Sequence, residues 1–412
     1  MATELKPLLL ISGGPSTKAL WPDLAERYDL VFLYTAAGQE AAGNGLPAAP
    51  LAAVVDPDLQ ERIENTTVLM TAQVVANLPA ISQRFGLAYG HDAPAQLNGR
   101  LGTWFAGYSH HILLGTISIL AQLEKLAASG RRIAGCVTHE DVAPDTRAMV
   151  TWCNAHGIPT IHVPHAPCHL TADGPDVHKE TRAQWIAASG PQVAEFYKRC
   201  GFPADHVEIT GGPQWDDLYS GAIPGKAEAR TVLGIGDRTG PVLCYMTTWG
   251  QTTSLRSGFD AEFEQGWQAV LAAAQKLGAY LMVLVHWNDQ RGDIEDAYAK
   301  EMDAAGVDGL VTRSHKSYIV TAADVLIAQG PSNMCIDAAI TGTPSVYLQT
   351  EGFDYATPLP HRAAVGGLMG AIQDALDGGT AGLGAFVAEY NAAQPHGDAA
   401  DRVVAMVERL CP

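Results

Sequence analysis

Basic residues are scarce in this chain. Lysine and arginine number 26 against 44 aspartates and glutamates, a formal net charge of −18 over 412 residues. The longest basic cluster is the pair Arg131-Arg132. A general nucleic-acid surface and a polybasic membrane anchor both need clustered positive charge, so both are excluded as expectations. Any anionic substrate must then be held locally, by loop amides, helix ends and a few Arg, Lys or His side chains. Disulfide chemistry is equally poorly represented. Seven cysteines, at 136, 153, 168, 200, 244, 335 and 411, are dispersed with no Cys-x-x-Cys pair, which reads as reduced thiols. Leu8 to Ile11 is too short an apolar stretch for a signal peptide. No run is expected to reach the ~20 apolar residues of a membrane span. These absences predict a cytoplasmic protein. With 47% apolar and only 17% charged residues, the composition is that of a globular chain with a large core.

What is present is a regular alternation of apolar strand runs and helical patterns, the mark of parallel sheets with helices on both faces. Strands are predicted at Pro7–Ser12, Leu30–Tyr34, Ile133–Thr138, Thr160–Val163, Gln184–Ala188 and Val207–Thr210. A second series follows at Pro241–Met246, Leu281–Val285, Gly309–Thr312, Val325–Ala328 and Ser345–Leu348. The Gly- and Ala-rich stretch Ala36–Pro50 reads as loop, Val54 as part of a short strand, and residues 58–85 as helix. The expected fold class is α/β, with two doubly wound, Rossmann-like domains facing across a cleft. A first domain is expected over residues 1–220 and a second over 221–380, the flexible Gly221–Pro224 stretch linking them. Terminal helices over 381–412 are expected to pack back towards the first domain. Ligands of such sheets bind beyond the carboxyl ends of the strands, so the strand-exit loops are the ones to read.

The most informative exit is Gly330-Pro331-Ser332-Asn333, between the strand Val325–Ala328 and a helix predicted from Met334 to Ile340. Backbone N–H groups and a positive helix end there make a ready anion site. The plainer reading is a strand-to-helix turn with Ser332 as cap. Asp337, one turn into the helix, can bond a ribose or sugar hydroxyl or simply stabilise the helix start. His286 ends a strand, where it can donate to a phosphate oxygen or act as a cationic clamp. Glu140, in Thr138-His139-Glu140-Asp141, can orient a catalytic imidazole or an acceptor hydroxyl, whereas Asp141 reads as a cap for the helix beginning near Ala143. The run His162-Val163-Pro164-His165-Ala166-Pro167-Cys168-His169 allows a metal site from His162, His165, Cys168 and His169. Its spacing matches no standard zinc pattern, however. Gly13-Gly14-Pro15-Ser16-Thr17 is neither a Walker loop nor a dinucleotide fingerprint.

Several segments, in order, resemble those of nucleotide-sugar glycosyltransferases with the GT-B fold. The chain looks closest to the branch that includes CDP-glycerol glycerophosphotransferases. Thr210-Gly211-Gly212-Pro213-Gln214-Trp215-Asp216 is similar to that family's interdomain Thr-Gly-x-Pro-x-x-Asp segment. Thr247-Thr248-Trp249 is similar to its Pro-Thr-Trp exit loop without the proline. His286-Trp287 stands for His-Pro, and His165-Ala166 for His-Gly. The resemblance spans residues 160 to 348. It implies sugar transfer from a nucleotide-activated donor to an acceptor hydroxyl. Thr247, Thr248, His286, Gly330, Ser332, Asn333 and Asp337 would hold the donor, and His165 would be the general base. The glycine-rich loop with Gly13, Gly14 and Ser16 would approach donor or acceptor. Arg313, Lys316 and Arg256 would offset pyrophosphate charge. No metal and no cofactor beyond the donor substrate is implied. The alternatives are CDP-glycerol-type transfer, a sugar-nucleotide 2-epimerase and a non-catalytic nucleotide-binding protein. The acceptor, modified DNA included, and the oligomeric state are left open.

Overall fold

The computed structural model describes residues 5–77, 80, 100–165, 181–220, 223–236, 238–247, 260–286, 289, 292–328, 332–348, 361–391 and 397–412. It divides into two compact units. One takes Met1–His165, Glu180–Ile186 and Val403–Pro412, and the other Ala166–Lys179 with Ala187–Arg402. The longest stretch of the second unit begins at Ala187.

Strands β1 (Leu8–Ile11), β2 (Asp29–Phe32), β3 (Ala48–Pro50), β4 (Ile133–Thr138), β5 (Thr160–His162), β6 (Trp185–Ala188) and β7 (Val207–Ile209) form one sheet. Its order is β3-β2-β1-β4-β5-β6-β7, and the pairs from β3 to β6 are parallel. All four residues of β1 are buried, as a parallel strand covered on both faces requires. Leu8, Leu10 and Cys136 pack with Leu123, Met149 and Trp152 of the covering helices. Burial of such side chains contributes about 1.5–3 kcal/mol each relative to exposure.

The second unit carries β8 (Val242–Met246), β9 (Tyr280–Leu284), β10 (Gly309–Thr312), β11 (Val325–Ala328), β12 (Ser345–Leu348) and β13 (His361–Ala363). They run in the order β10-β9-β8-β11-β12-β13, all pairs parallel. Alternate residues of β8 feed opposite faces. Val242, Cys244 and Met246 join Met334 and Ile336 in one core, and Leu243 and Tyr245 join Trp267 and Ile372 in the other. In both sheets the first strand is flanked by the second and the fourth. The chain direction of winding reverses beside β1 and again beside β8, and a doubly wound sheet opens its ligand crevice at such a point.

Several local expectations are corrected. Ala36–Pro50 is not loop: it holds the helix Thr35–Gly43 and then β3. Alanine's helix preference outweighs the glycines, and Gly38 fits because a Cβ there would lie 2.9 Å from Pro50 N. Val54 lies in a 3₁₀ turn over Leu51–Val54. The helix expected over 58–85 is described as Pro57–Ala76, capped by Asp56, whose carboxylate accepts from Leu59 N at 2.8 Å. The helix Leu383–Tyr390, grouped with the second unit, packs on Asn333–Ile340 and also on Pro191–Arg199, within the span expected of the first domain. The end of the helix Ala399–Leu410 belongs to the first: Tyr28 Oη donates to Cys411 O at 2.8 Å, and Arg27 pairs with Glu408 at 2.6 Å. Ser109–Ala128, within the helix Arg100–Ala128, is long and apolar enough to cross a membrane, at mean hydropathy 1.2. It passes by length and composition only: Gly115, Thr116 and Ser118 interrupt its apolar residues and Glu124 and Lys125 lie within it, so it is not an unbroken apolar run. This helix packs on Pro57–Ala76 and on Pro144–Ala155.

Candidate functional site

In the second unit three neighbouring strand exits gather the residues expected to hold a donor. Thr247, buried after β8, accepts a hydrogen bond through Oγ1 from the backbone N–H of His286, just beyond β9, at 2.8 Å. Ser332, after β11, caps the helix Asn333–Ile340: its Oγ accepts from Met334 N at 3.2 Å, and the hydroxyl reaches Met246 Sδ of β8 at 3.5 Å. Side-chain caps of this kind are worth ~1 kcal/mol, and they leave a helix N-terminus beside the switch point of the sheet. Asn333 opens the helix. Thr248, Gly330, Pro331, Trp249, Trp287 and Arg256 lie outside the described residues.

His286 is held below its ordinary range by burial, with Asp289 pulling the other way. This shift favours the neutral ring over the cationic clamp among the two roles the sequence allows. Arg313 and Lys316 have their charges engaged. Arg313 pairs with Glu295 at 3.0 Å and donates to the carbonyls of His286 and Asp289, bracing the β9 exit. Lys316 pairs with Asp337 at 2.5 Å. Asp337 also accepts from the indole Nε1 of Trp215 at 2.7 Å, with both side chains buried. The carboxylate that the sequence offers to a sugar hydroxyl therefore anchors Trp215. His315 stands at φ 59°, the single described non-glycine residue in the left-handed region.

The first unit builds its own cluster at the switch point between β1 and β4. Gly13 turns the chain with φ 79°. Gly14 is extended, and what it supplies is space: a Cβ there would fall 2.3 Å from the ring of His139. Ser16 is buried and donates to Val163 O at 2.7 Å, so it ties the β1 exit to the β5 exit. Ser12 Oγ lies 2.7 Å from His139 Nδ1 and accepts from His139 N at 2.9 Å. His165, half-buried beyond β5, bonds through Nδ1 to His139 O at 3.0 Å. The two imidazoles are T-shaped with centroids 5.4 Å apart, and the Tyr34 ring stands 6.1 Å from that of His139.

Both acidic residues beside them hold backbone amides. The Glu140 carboxylate accepts from Val142 N at 3.0 Å, Ala143 N at 2.9 Å and Thr146 Oγ1 at 2.6 Å, at the entry to the helix Pro144–Ala155. Asp141 instead accepts from Arg182 N at 2.6 Å and Ala183 N at 2.9 Å, joining the β4 exit to the chain entering β6. The Tyr34 hydroxyl is pushed above the usual phenol range by burial first and by the Glu140 carboxylate second. His162, at the end of β5, is buried against Thr138, and Cys168 and His169 lie outside the described residues. His139 carries no role in the sequence reading. Its signal was its place at a strand exit, obscured by the two carboxylates that follow.

No protein-family model and no curated protein matches the chain. Solved structures match its fold along nearly the whole length. UDP-GlcNAc 2-epimerase from Neisseria meningitidis, bound to UDP-GlcNAc, superposes with TM-score 0.59 at 12% identity, over 98% of this chain and 99% of that one. The Methanocaldococcus jannaschii UDP-GlcNAc 2-epimerase, in complex with UDP-GlcNAc and UDP, gives 0.60 at 10% identity, over 98% and 99%. HepE of Anabaena, in complex with UDP and glucose, gives 0.52 at 10% identity, over 98% of each chain. The fold is thus two Rossmann-like α/β units of the GT-B type. None of these three is a CDP-glycerol transferase, and the resemblance to that branch gains no support.

Proposed function

We propose that this protein is an enzyme acting on a nucleotide-activated sugar, and that it transfers the sugar to an acceptor hydroxyl. The observation that carries the reading is the convergence of Thr247, His286, Ser332 and Asn333 on adjacent strand exits of the second sheet, in a fold whose solved examples hold UDP and UDP-sugars. A diphosphate would lie against the N-terminus of Asn333–Ile340, where oriented amides stabilise the charge that grows as the leaving group departs. Thr248, next to Thr247 in sequence, and Gly330, two residues before Ser332, would join them in holding the donor. The glycine-rich turn with Gly13, Gly14 and Ser16 would border the sugar or the acceptor on the first unit.

His165 would be the base. A carbonyl only accepts, so the bond to His139 O puts the proton on Nδ1 and leaves Nε2 as the basic nitrogen. Nε2 would take the acceptor O–H proton as that oxygen bonds to the anomeric carbon. The bond from the anomeric carbon to the β-phosphate oxygen would break, its electron pair leaving on the nucleoside diphosphate. Glu140, held by two amides and Thr146, would shape the site and not move a proton.

The epimerase reading is favoured by a specific observation: two of the three superposed structures are 2-epimerases. One experiment separates the readings. The protein is incubated with UDP-GlcNAc, with and without a panel of acceptor alcohols and sugars, and the products are followed by NMR. Acceptor-dependent UDP release supports transfer. A C2 epimer formed without acceptor replaces transfer with epimerisation. Tight UDP binding with neither product leaves a binding protein. For transfer, His165→Ala should lower kcat by about 10²–10⁴-fold with UDP affinity retained.

A further inference from the structure

The two histidines of the first unit are held in opposite tautomers. Ser12 is wholly buried, and its Oγ already accepts from His139 N. A buried hydroxyl must place its own hydrogen, and the acceptor within reach is His139 Nδ1, at 2.7 Å. Nδ1 of His139 is therefore the accepting nitrogen, and in the neutral ring the proton sits on Nε2. For His165 the carbonyl partner dictates the reverse. The His139 ring lies across Gly14 by its Cγ, Cδ2 and Nδ1 atoms, and its face is only partly closed to solvent. Among the described residues no acceptor meets Nε2.

We propose that His139 is a substrate-binding residue, a neutral Nε2–H donor fixed by Ser12 and directed at an uncharged oxygen of the sugar or the acceptor. The chemical class follows from its surroundings. Ser12, Gly13, Gly14, Ser16, Tyr34, Glu140 and His165 line this strand edge, and among the described residues there it includes no lysine or arginine. Among the described residues there, an anionic group would meet the carboxylates of Glu140 and Asp145 and no lysine or arginine, whereas an uncharged oxygen finds a donor in His139. Burial, and then His165, push His139 down to about 4, so the ring stays neutral across the working pH range. Ser12 is a positioning residue in this scheme: it sets the tautomer and does not touch the sugar. The proposal rests on the nucleotide-sugar reading above for the identity of its ligand.

The test uses the full chain labelled with ¹⁵N and two-bond ¹H–¹⁵N spectra of the imidazoles, assigned with His139→Gln, His165→Gln and His286→Gln. His139 should be protonated at Nε2 and His165 at Nδ1 at pH 7, and Ser12→Ala should give His139 a mixture of tautomers. UDP-GlcNAc should move the resonances of both His286 and His139, and UDP alone only those of His286. A response of His286 to UDP-GlcNAc with none at His139 overturns the inference while the nucleotide-sugar reading stands. A response of neither ring removes that reading for this donor. The tautomer then decides, and an Nδ1–H form at His139 overturns the proposal whatever the ligand. In turnover, His139→Phe should lower kcat/KM for the sugar donor by about 10²-fold. His139→Gln, which keeps an N–H in place, should recover most of it, and equal rates for wild type and His139→Phe would also overturn the assignment.

Discussion

Replacing Asp337 by alanine tests what that carboxylate is for. In the fold it is an anchor: buried, accepting from Trp215 Nε1 at 2.7 Å and paired with Lys316 at 2.5 Å. Deletion removes a hydrogen bond to a charged acceptor and leaves the buried indole N–H without one, a loss of about 2–3 kcal/mol. The ion pair adds less than about 1 kcal/mol, because Lys316 is half exposed and returns to water. The sum is roughly 3 kcal/mol, and a urea slope of about 3 kcal/mol/M turns it into a midpoint about 1 M lower. Asp337→Asn keeps an oxygen for the indole and should cost about a third as much. The assay is urea unfolding followed by tryptophan fluorescence, with UDP affinity measured on each folded variant by calorimetry. An anchor predicts that Asp337→Asn binds UDP within about twofold of wild type, on the scale where tenfold is 1.4 kcal/mol. An Asp337→Ala midpoint within about 0.2 M of wild type would refute the energetic argument. A tenfold loss of UDP affinity in Asp337→Asn would return the residue to the ligand.

Gly14→Ala keeps an allowed, extended backbone but sets a Cβ 2.3 Å from His139 Cγ, so it should displace that ring and cost about 1–3 kcal/mol. A lowered kcat/KM together with a lower urea midpoint is the expected pair of readings, and an unchanged midpoint would contradict the clash. Thr247→Val removes the acceptor of His286 N–H and should cost about 1–2 kcal/mol while weakening UDP binding severalfold; unaltered UDP affinity would detach the β9 exit from the ligand. For pH, His139 stands at about 4 in the fold against an ordinary 6.5, by burial first and His165 second, with Glu140 opposing. The unfolded chain takes up this proton first, so the stability contribution is full above about pH 6.5 and falls as pH drops towards 4. The difference in urea midpoint between wild type and His139→Gln should therefore shrink or reverse from pH 7 to 4.5. A constant difference would contradict it, with His165, Glu140 and Tyr34 as the nearby groups to compare.

The sheets were legible because parallel strands buried on both faces are short apolar runs closed by glycine or proline. Val325–Ala328 and Ser345–Leu348 coincide with β11 and β12 for that reason. β3 escaped notice because Ala48-Ala49-Pro50 has little apolar bulk and is strand only by pairing with β2. Strand exits as a class pointed to Thr247, His286 and Ser332, but individual roles depended on partners far away in the chain. Asp337 is defined by Trp215, 122 residues distant, and His139 by Ser12, 127 residues distant. The role of Asp141 has the same origin: locally it reads as a cap, and only the chain returning at Arg182 and Ala183 shows what its carboxylate holds.

The segment Val403–Pro412 completes a unit whose other parts end at Ile186. Cys411 Sγ occupies the space over Gly135 of β4, where a Cβ would come within 2.2 Å of it. During synthesis that place stays empty until every residue of the other unit has left the ribosome. Amino-terminal fragments ending anywhere before this closing helix would emerge with β4 uncovered and Tyr28 lacking its acceptor. Such fragments would be prone to aggregate, so this lobe matures after its sequel and not before it.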